Sequence, residues 1–293
     1  MNTLSPAHGP DGNELRAIRM RRIGLFLRDN VFALTVLAVI ILAGALAPLL
    51  THADPDFIDP GMRLKPPTAE HLFGTDMLGR DVLARVLYGT RASLMIGIAV
   101  AVIALVVGLL IGLVSGYFRA LDGIIMRLMD GIMAIPAIIL AVALVAIMGA
   151  SFVTVITAIV VPEVPRVARL VRSVVLSLRS EPYVEAAVSL ATPTWRILWQ
   201  HMLPNTLAPL IVQGSFIIAS AILTESALSF LGVGLPPEIP TWGNIMADGR
   251  RLFQLLPGLV FFPGLFLSLT VLAINMLGDG LRDRFDPKLM KRV

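Results

Sequence analysis

The 293-residue chain contains no cysteine and only three lysines, Lys65, Lys288 and Lys291. The absence of cysteine excludes disulfides, thiolate metal sites and cysteine catalysis. None of the lysines follows a glycine, so a phosphate-binding Walker loop is excluded as well. No HExxH pair or other catalytic constellation is visible. We therefore predict no catalytic, cofactor-binding or metal-binding residue, and we expect the chain not to be an enzyme.

Charge is also scarce, and this scarcity indicates a lipid environment. Charged residues make up 15% of the chain and hydrophobic residues 56%, with a mean hydropathy of +0.83. A soluble domain usually carries about 25% charged residues. The apolar runs are continuous rather than alternating, which favours helices over a barrel. We predict an all-α integral membrane protein with about six transmembrane helices, at 31–50, 92–116, 132–148, 151–161, 207–231 and 256–278.

Proline affects the prediction for the third and fourth spans. The third contains Pro136, and the fourth is predicted to be short because the sequence PEVP follows it at 162–165. In the second span, Gly108, Gly112 and Gly116 recur every four residues, which predicts a close approach to another helix.

The placement of the basic residues predicts the orientation. Seventeen of the 24 lysines and arginines lie in 1–30, 117–131, 162–206 and the tail after 279. Basic residues accumulate on the cytoplasmic side of membrane proteins. Both termini are therefore expected in the cytoplasm, as a tail at 1–30 and a tail at 280–293. The first apolar run is too long for a secretory signal and is interpreted as a retained helix, followed by an extracytoplasmic loop at 51–91.

One polar segment, 180–205, interrupts the apolar pattern on the predicted cytoplasmic side. It includes EAAVSLATPTWRILWQHMLPN at 185–205. The pattern predicts a helix, a turn near Pro193 and a second helix that ends at Leu203–Pro204. Each helix is expected to carry its apolar residues on one stripe; the stripes are Val184, Val188 and Ala191, then Trp195, Leu198, Trp199 and Met202. Such a pair could lie on the lipid headgroups or dock a cytoplasmic partner.

Several stretches together resemble a known family. EAA at 185–187, a small residue at 191 and LP at 203–204 resemble the cytoplasmic loop of ABC import permeases, although Ala191 stands where that family usually has glycine. FGTDMLGRDVLARVLYGTRASL (73–94), VARLVRSVVLSL (167–178), ESALSFLGVGLPPEIPTWGNIMADGR (225–250) and NMLGDGLRDRFDPK (275–288) resemble the dipeptide, oligopeptide and nickel permeases. They are most similar to the second of the two paired permeases in that group.

The resemblance implies a fold and a set of partners. The fold would be that of a type I ABC importer permease, with a five-helix transmembrane domain at 92–279 and a coupling loop at 180–205. The implied partners are a second homologous permease, two ABC ATPases that bind ATP and Mg, an extracytoplasmic solute-binding protein and the lipid bilayer. No nucleic acid and no cofactor in this chain are expected. The location would be the bacterial plasma (inner) membrane.

The resemblance also implies which residues matter. The residues expected to couple transport to the ATPases are Glu185, Ala186, Ala187, Ala191, Leu203 and Pro204. The solute would be a di- or oligopeptide or a related small molecule. Two other functions remain open from the sequence, a secondary transporter and a membrane scaffold without transport. The first would usually show an inverted internal repeat, and none is visible.

Polar residues inside the apolar runs are costly and are weighed individually. Glu225, with Ser226 and Ser229, is expected to face a translocation cavity or a partner helix, or else to pair locally with Thr224 or Ser226. Glu163 is expected to pair with Arg166.

Two further residues complete the candidates. Asp130 is expected to pair with Arg127 three residues away. Trp242, in the predicted outer loop 236–250, is either an interfacial anchor or part of an outer mouth that meets the binding protein or the solute.

Overall fold

The computed structural model describes residue 24 and residues 26–285, and this part of the chain is helical without a β-strand. The predicted tails at 1–30 and 280–293 lie largely outside these residues. The helices are α1 (Val31–Ala45), α2 (Ala47–Leu50), α3 (Val82–Tyr117), α4 (Arg119–Met133), α5 (Ala137–Met148), α6 (Phe152–Leu178), α7 (Pro182–Ser189), α8 (Thr194–Ile197), α9 (Leu203–Phe230), α10 (Trp242–Gly249) and α11 (Gly258–Phe285). A π-helical turn at Leu198–Met202 joins α8 to α9.

Three helices are long and apolar enough to cross a membrane by themselves, at Val82–Tyr117, Thr194–Phe230 and Gly258–Arg284. The pair α4–α5 makes a fourth span if its two bent halves are counted together. The remaining two expected spans correspond to α1, which is apolar but has only 15 residues, and to α6, which is long but carries charges. The molecule is thus an all-helical integral membrane protein.

The closest packing in the molecule joins α3 to α6, which run parallel. Gly108, Gly112 and Gly116 lie against the valines at 167, 171 and 175, and a Cβ added at Gly112 would be 2.6 Å from the Cβ of Val171. Only a residue without a side chain permits this separation of the two backbones. The predicted role of these three glycines in helix packing is confirmed.

The prediction of a short fourth span is wrong. Helix α6 continues through Pro162 and Pro165, ends at Leu178 and is 27 residues long. Both prolines are buried, and the same helix supplies the valines that pack on the α3 glycines. Tertiary packing therefore outweighs the local cost of proline, which is the loss of a backbone hydrogen bond and a ring clash.

At the third expected span, by contrast, a proline does interrupt the helix. The expected single span at 132–148 contains only the end of α4 and the whole of α5, and these two helices meet at an angle of 85°. Pro136 occupies the N-cap position of α5 rather than a place inside a helix. The bend moves α4 alongside α6, so that Asp130 forms an ion pair with Arg169 at 2.5 Å. The expected pairing of Asp130 with Arg127 is therefore wrong, whereas the expected Glu163–Arg166 pair is present at 2.7 Å.

Candidate functional site

The coupling loop, residues 180–205, follows α6 and contains α7 and α8. The structure brings the EAA residues together on α7, with Glu185 and Ala186 exposed and Ala187 buried. Ala191 and Pro204 are exposed, and Leu203 is half-buried. The loop is thus a helical surface element that presents the signature carboxylate to solvent.

The turn between α7 and α8 explains the residue preferred at position 191. Ala191 has a φ of 56°, in the left-handed region. The N–H of Ala191 donates to the carbonyl of Val188 at 3.0 Å, and the N–H of Thr192 donates to the carbonyl of Ala187 at 3.1 Å. This is a Schellman motif, whose left-handed position is usually glycine. The loop forms the motif with alanine in that position, at the steric cost of a Cβ in the left-handed conformation.

The second helix of the loop does not end where the sequence predicts. Helix α8, the π-helical turn and α9 form one continuous helical segment, Thr194–Phe230. Pro204 therefore lies inside this segment, just after the π-helical turn, and does not end it. The coupling loop is therefore joined to a membrane span without an intervening break.

The apolar stripes predicted for the loop are divided between core and solvent. Val184 and Met202 are buried against the rest of the chain, as is Ile197. Trp195 and Trp199 lie one helical turn apart and are each 68% exposed. The loop thus has an inner face that holds it to the subunit and an outer aromatic face that none of the residues described by the structure covers.

A buried ionic network holds the N-terminal end of α3. Arg80, on the long loop before α3, donates to Asp76 at 2.6 Å and to Asp248 of α10 at 3.1 Å. Burial raises the pKa of the Asp248 carboxyl, and the guanidiniums of Arg85 and Arg80 oppose that rise. The side chain of Asp81 accepts from the backbone N–H of Ala84 and caps α3. This network fixes α10 against the start of α3.

Trp242, expected as an exposed anchor or mouth residue, is fully buried. Its indole Nε1 donates to the carbonyl of Val86 at 3.2 Å, and its ring lies beside that of Phe266. The ring therefore contacts neither solvent nor lipid, which corrects both expectations for the side chain. The motif PPEIPTWGN gave no signal that its tryptophan belongs to the packing between α3 and α10.

Glu225 is also fully buried, and the expectation that it faces a cavity is not met within this chain. Its carboxylate accepts hydrogen bonds from Ser229 and Thr241, both at 2.8 Å, and a longer one from Ser226 at 3.4 Å. Local pairing with Ser226 was expected, but the bond to Thr241 was not. Thr241 is the N-cap residue of α10, so Glu225 ties α9 to α10.

The part of the chain that the structure describes holds no group of three or more His, Asp or Glu side chains placed to bind a metal ion. The candidate site consists of the coupling loop, its aromatic face and the span that continues from it.

Comparison with known proteins agrees with this description. Residues 104–291 match the family model described as binding-protein-dependent transport system inner membrane component. The chain is 53% identical over 248 residues to a probable peptide ABC transporter permease of Sinorhizobium fredii, with 85% of each chain covered. It is 44% identical to the dipeptide transport system permease of Alkalihalophilus pseudofirmus, covering 90% of this chain and 88% of that one.

A third relative widens the range of solutes. The chain is 40% identical to the glutathione transport system permease of Pectobacterium atrosepticum, covering 90% of this chain and 89% of that one. The family match covers more than half of the chain, and these relatives are aligned over nearly their whole length. The chain therefore belongs to the family of binding-protein-dependent inner-membrane transport components, the permease subunits of ABC importers.

Proposed function

We propose that this chain is the second of two permease subunits in an importer of di- or oligopeptides. Two ABC ATPases drive transport through the coupling loop, and an extracytoplasmic binding protein delivers the peptide. The chain itself contributes no catalytic residue and leaves ATP and Mg to the ATPases. Both termini lie in the cytoplasm, on the side of the coupling loop.

The single observation that carries the coupling role is the form of the loop. A helix whose outer aromatic face is left open by residues 26–285 runs directly into a membrane span. Exposed aromatic residues of this density are typical of protein interfaces. The named peptide permeases among the relatives support peptide as the solute.

Reconstitution tests the whole proposal. The complex is reconstituted in liposomes. It contains this chain, its paired permease, the two ATPases and the binding protein. ATP is supplied either in the liposome lumen or in the external buffer. We expect ATP-dependent uptake of a labelled dipeptide that requires the binding protein. Uptake of a nickel chelate without uptake of any peptide would refute peptide as the solute. Failure of the ATPases to purify together with this chain would refute the coupling role.

Charge reversal tests the coupling residue. Glu185→Lys should abolish most uptake and release the ATPases, because the exposed signature carboxylate lies at their contact, while membrane insertion stays normal. Glu181→Lys is the matched control, since Glu181 is equally acidic, exposed and at the N-cap of the same helix. Equal loss in both variants would assign the effect to the helix N-terminus and contradict a specific role for Glu185.

A further inference from the structure

A polar cluster lies on a face of the subunit that the described part of the chain leaves exposed. Arg166 on α6 donates to Glu163 at 2.7 Å, and Ser220 of α9 lies 3.5 Å from the same carboxylate oxygen. The Glu163 side chain is buried, whereas the Arg166 side chain is 47% exposed. A guanidinium therefore points out of the subunit from a neutralised pair.

The depth of Arg166 follows from the glycine packing. Its neighbour Val167 packs on Gly108, which lies eight residues before the end of the uncharged run 92–116. At 1.5 Å per residue, Arg166 lies about 12 Å inside the nearer end of that run. An apolar layer about 30 Å thick places it near the centre of the membrane. A half-exposed arginine at this depth is too costly to face lipid.

The cluster adjoins an open cleft of about 430 Å³ between α6, α9 and α11. Leu170 and Phe216 line the cleft, and each is one helical turn from a member of the cluster, Arg166 and Ser220 respectively. Gln213 and Arg282 line it as well. The lining of the cleft is thus mainly apolar, with the Arg282 guanidinium in its wall, and Arg166 lies one helical turn from the lining residue Leu170.

We propose that Arg166 binds the terminal carboxylate of the peptide as it passes along this face, with the peptide side chain in the adjoining cleft. Glu163 keeps its hydrogen bond to Nη1 of Arg166, and the Nη2 and Nε N–H groups of the guanidinium bind the arriving carboxylate. A planar guanidinium suits this role, because it can bind a carboxylate through two parallel hydrogen bonds. This inference rests on the proposed peptide transport and names the residue that would recognise one end of the solute.

The first test measures whether a water-soluble reagent reaches position 166. Because the chain has no cysteine of its own, an introduced thiol is labelled without background from this chain. Arg166→Cys introduces the only thiol in this chain. In the complete complex in nanodiscs, a membrane-impermeant anionic methanethiosulfonate should modify this thiol, and a transported dipeptide should slow the modification. Ile98→Cys and Val102→Cys on α3 are controls of matched exposure, 51% and 54%, on an apolar face, and should stay unmodified.

An Arg166→Cys thiol as inert as the two controls would mean that the residue faces lipid or the paired permease, and would overturn the proposal. Glu163→Gln/Arg166→Cys removes the buried carboxylate that the single change leaves unpaired. This double variant carries the same test if the single variant fails to assemble.

Uptake with saturating loaded binding protein provides the second test. Arg166→Gln should slow dipeptide uptake by about tenfold, the size expected for loss of a charged hydrogen bond, and Arg166→Lys should keep only part of the wild-type rate, because an ammonium cannot form the two parallel hydrogen bonds. Glu163→Gln/Arg166→Gln should remain as slow as Arg166→Gln, because no cation is restored. ATPase and paired-permease content should match the wild type in all three variants.

Recovery of uptake in the double variant would show that Arg166 only neutralises Glu163, and would overturn the inference. Loss of the paired permease from the Arg166→Gln complex would reassign the face to the contact between permeases. A wild-type complex that takes up no peptide would instead remove the proposed function on which the inference rests, so the two failures are distinguishable.

Discussion

At the scale of single residues, Ala191 carries backbone strain that its replacement can relieve. Ala191→Gly should stabilise the coupling loop by about 1 kcal/mol, because glycine adopts a φ of 56° without the steric cost of a Cβ. Thermal unfolding of the purified subunit, followed by the fluorescence of Trp195 and Trp199, measures the change.

The control is the same substitution five residues earlier. Ala186 is exposed within α7, where the backbone is helical, so Ala186→Gly should destabilise by about 1 kcal/mol. Two shifts of the same sign would contradict the assignment of strain to position 191.

Glu225 is a second residue whose role is local and testable. Glu225→Ala should cost about 1–3 kcal/mol, because it leaves the buried hydroxyls of Ser229 and Thr241 without their acceptor. We expect the segment at 232–241 to become sensitive to protease in the purified complex. Ser226→Ala, which removes only the 3.4 Å bond, should leave the segment resistant. Equal sensitivity in the two variants would argue against a tie between α9 and α10.

At the scale of elements, the parallel pair α3–α6 depends on the missing side chains of its glycines. Gly112→Ala should reduce assembly of the complex, with an overpacking cost of about 1–3 kcal/mol, since the new Cβ would lie 2.6 Å from Val171 and 2.7 Å from the carbonyl of Ala168. Yield of the assembled complex after size-exclusion chromatography measures the effect.

Helix α4 supplies the matched control for that change. A Cβ at Gly123 would meet no atom within 4 Å. Gly123→Ala should therefore preserve or raise the yield, because alanine favours a helix by about 1 kcal/mol. A similar loss of yield in both variants would indicate a general effect of changing glycine, independent of the α3–α6 packing.

At the scale of the whole molecule, the aromatic face of the coupling loop should report assembly. Trp195 and Trp199 are the exposed tryptophans of the chain, and Trp242 is buried in any case. Binding of the ATPases should shift the tryptophan emission to the blue and reduce quenching by iodide, because the two rings leave water.

That optical signal requires ATPases whose own tryptophans have been replaced. Quenching that stays unchanged while the ATPases co-purify would mean that they dock elsewhere on the subunit.

The sequence predicts the helical membrane fold because long uncharged runs have few physical solutions. It also predicts the glycine packing, because glycine repeated every four residues in a span lies on one face of the helix and lets another helix approach closely. It does not predict the continuation of α6 through two prolines, because that result depends on α3, more than 40 residues away. Proline at 136 and proline at 162 look alike in sequence, and only packing separates their outcomes.

The candidate site shows the same division. The EAA loop and its turn could be located from their pattern. The sequence could not predict which apolar residues of the loop face the subunit. The π-helical turn at Leu198–Met202 changes the angular spacing of the residues that follow it. The burial of Trp242 and the bond from Thr241 to Glu225 involve partners distant in sequence, and no local pattern encodes them.

The unbroken helical segment Thr194–Phe230 has a mechanical consequence. Its 37 residues correspond to a rod about 55 Å long. A rod of this kind is a lever, and a tilt of about 5° about its centre displaces each tip by about 2–3 Å in opposite directions. In the proposed coupling role, the tip near Trp195 is displaced by an ATPase, and the far tip is tied to α10 through the bond between Thr241 and Glu225. Force applied at one membrane surface would thus arrive at the other as a displacement of α10, with the π-helical turn as the compliant part of the rod.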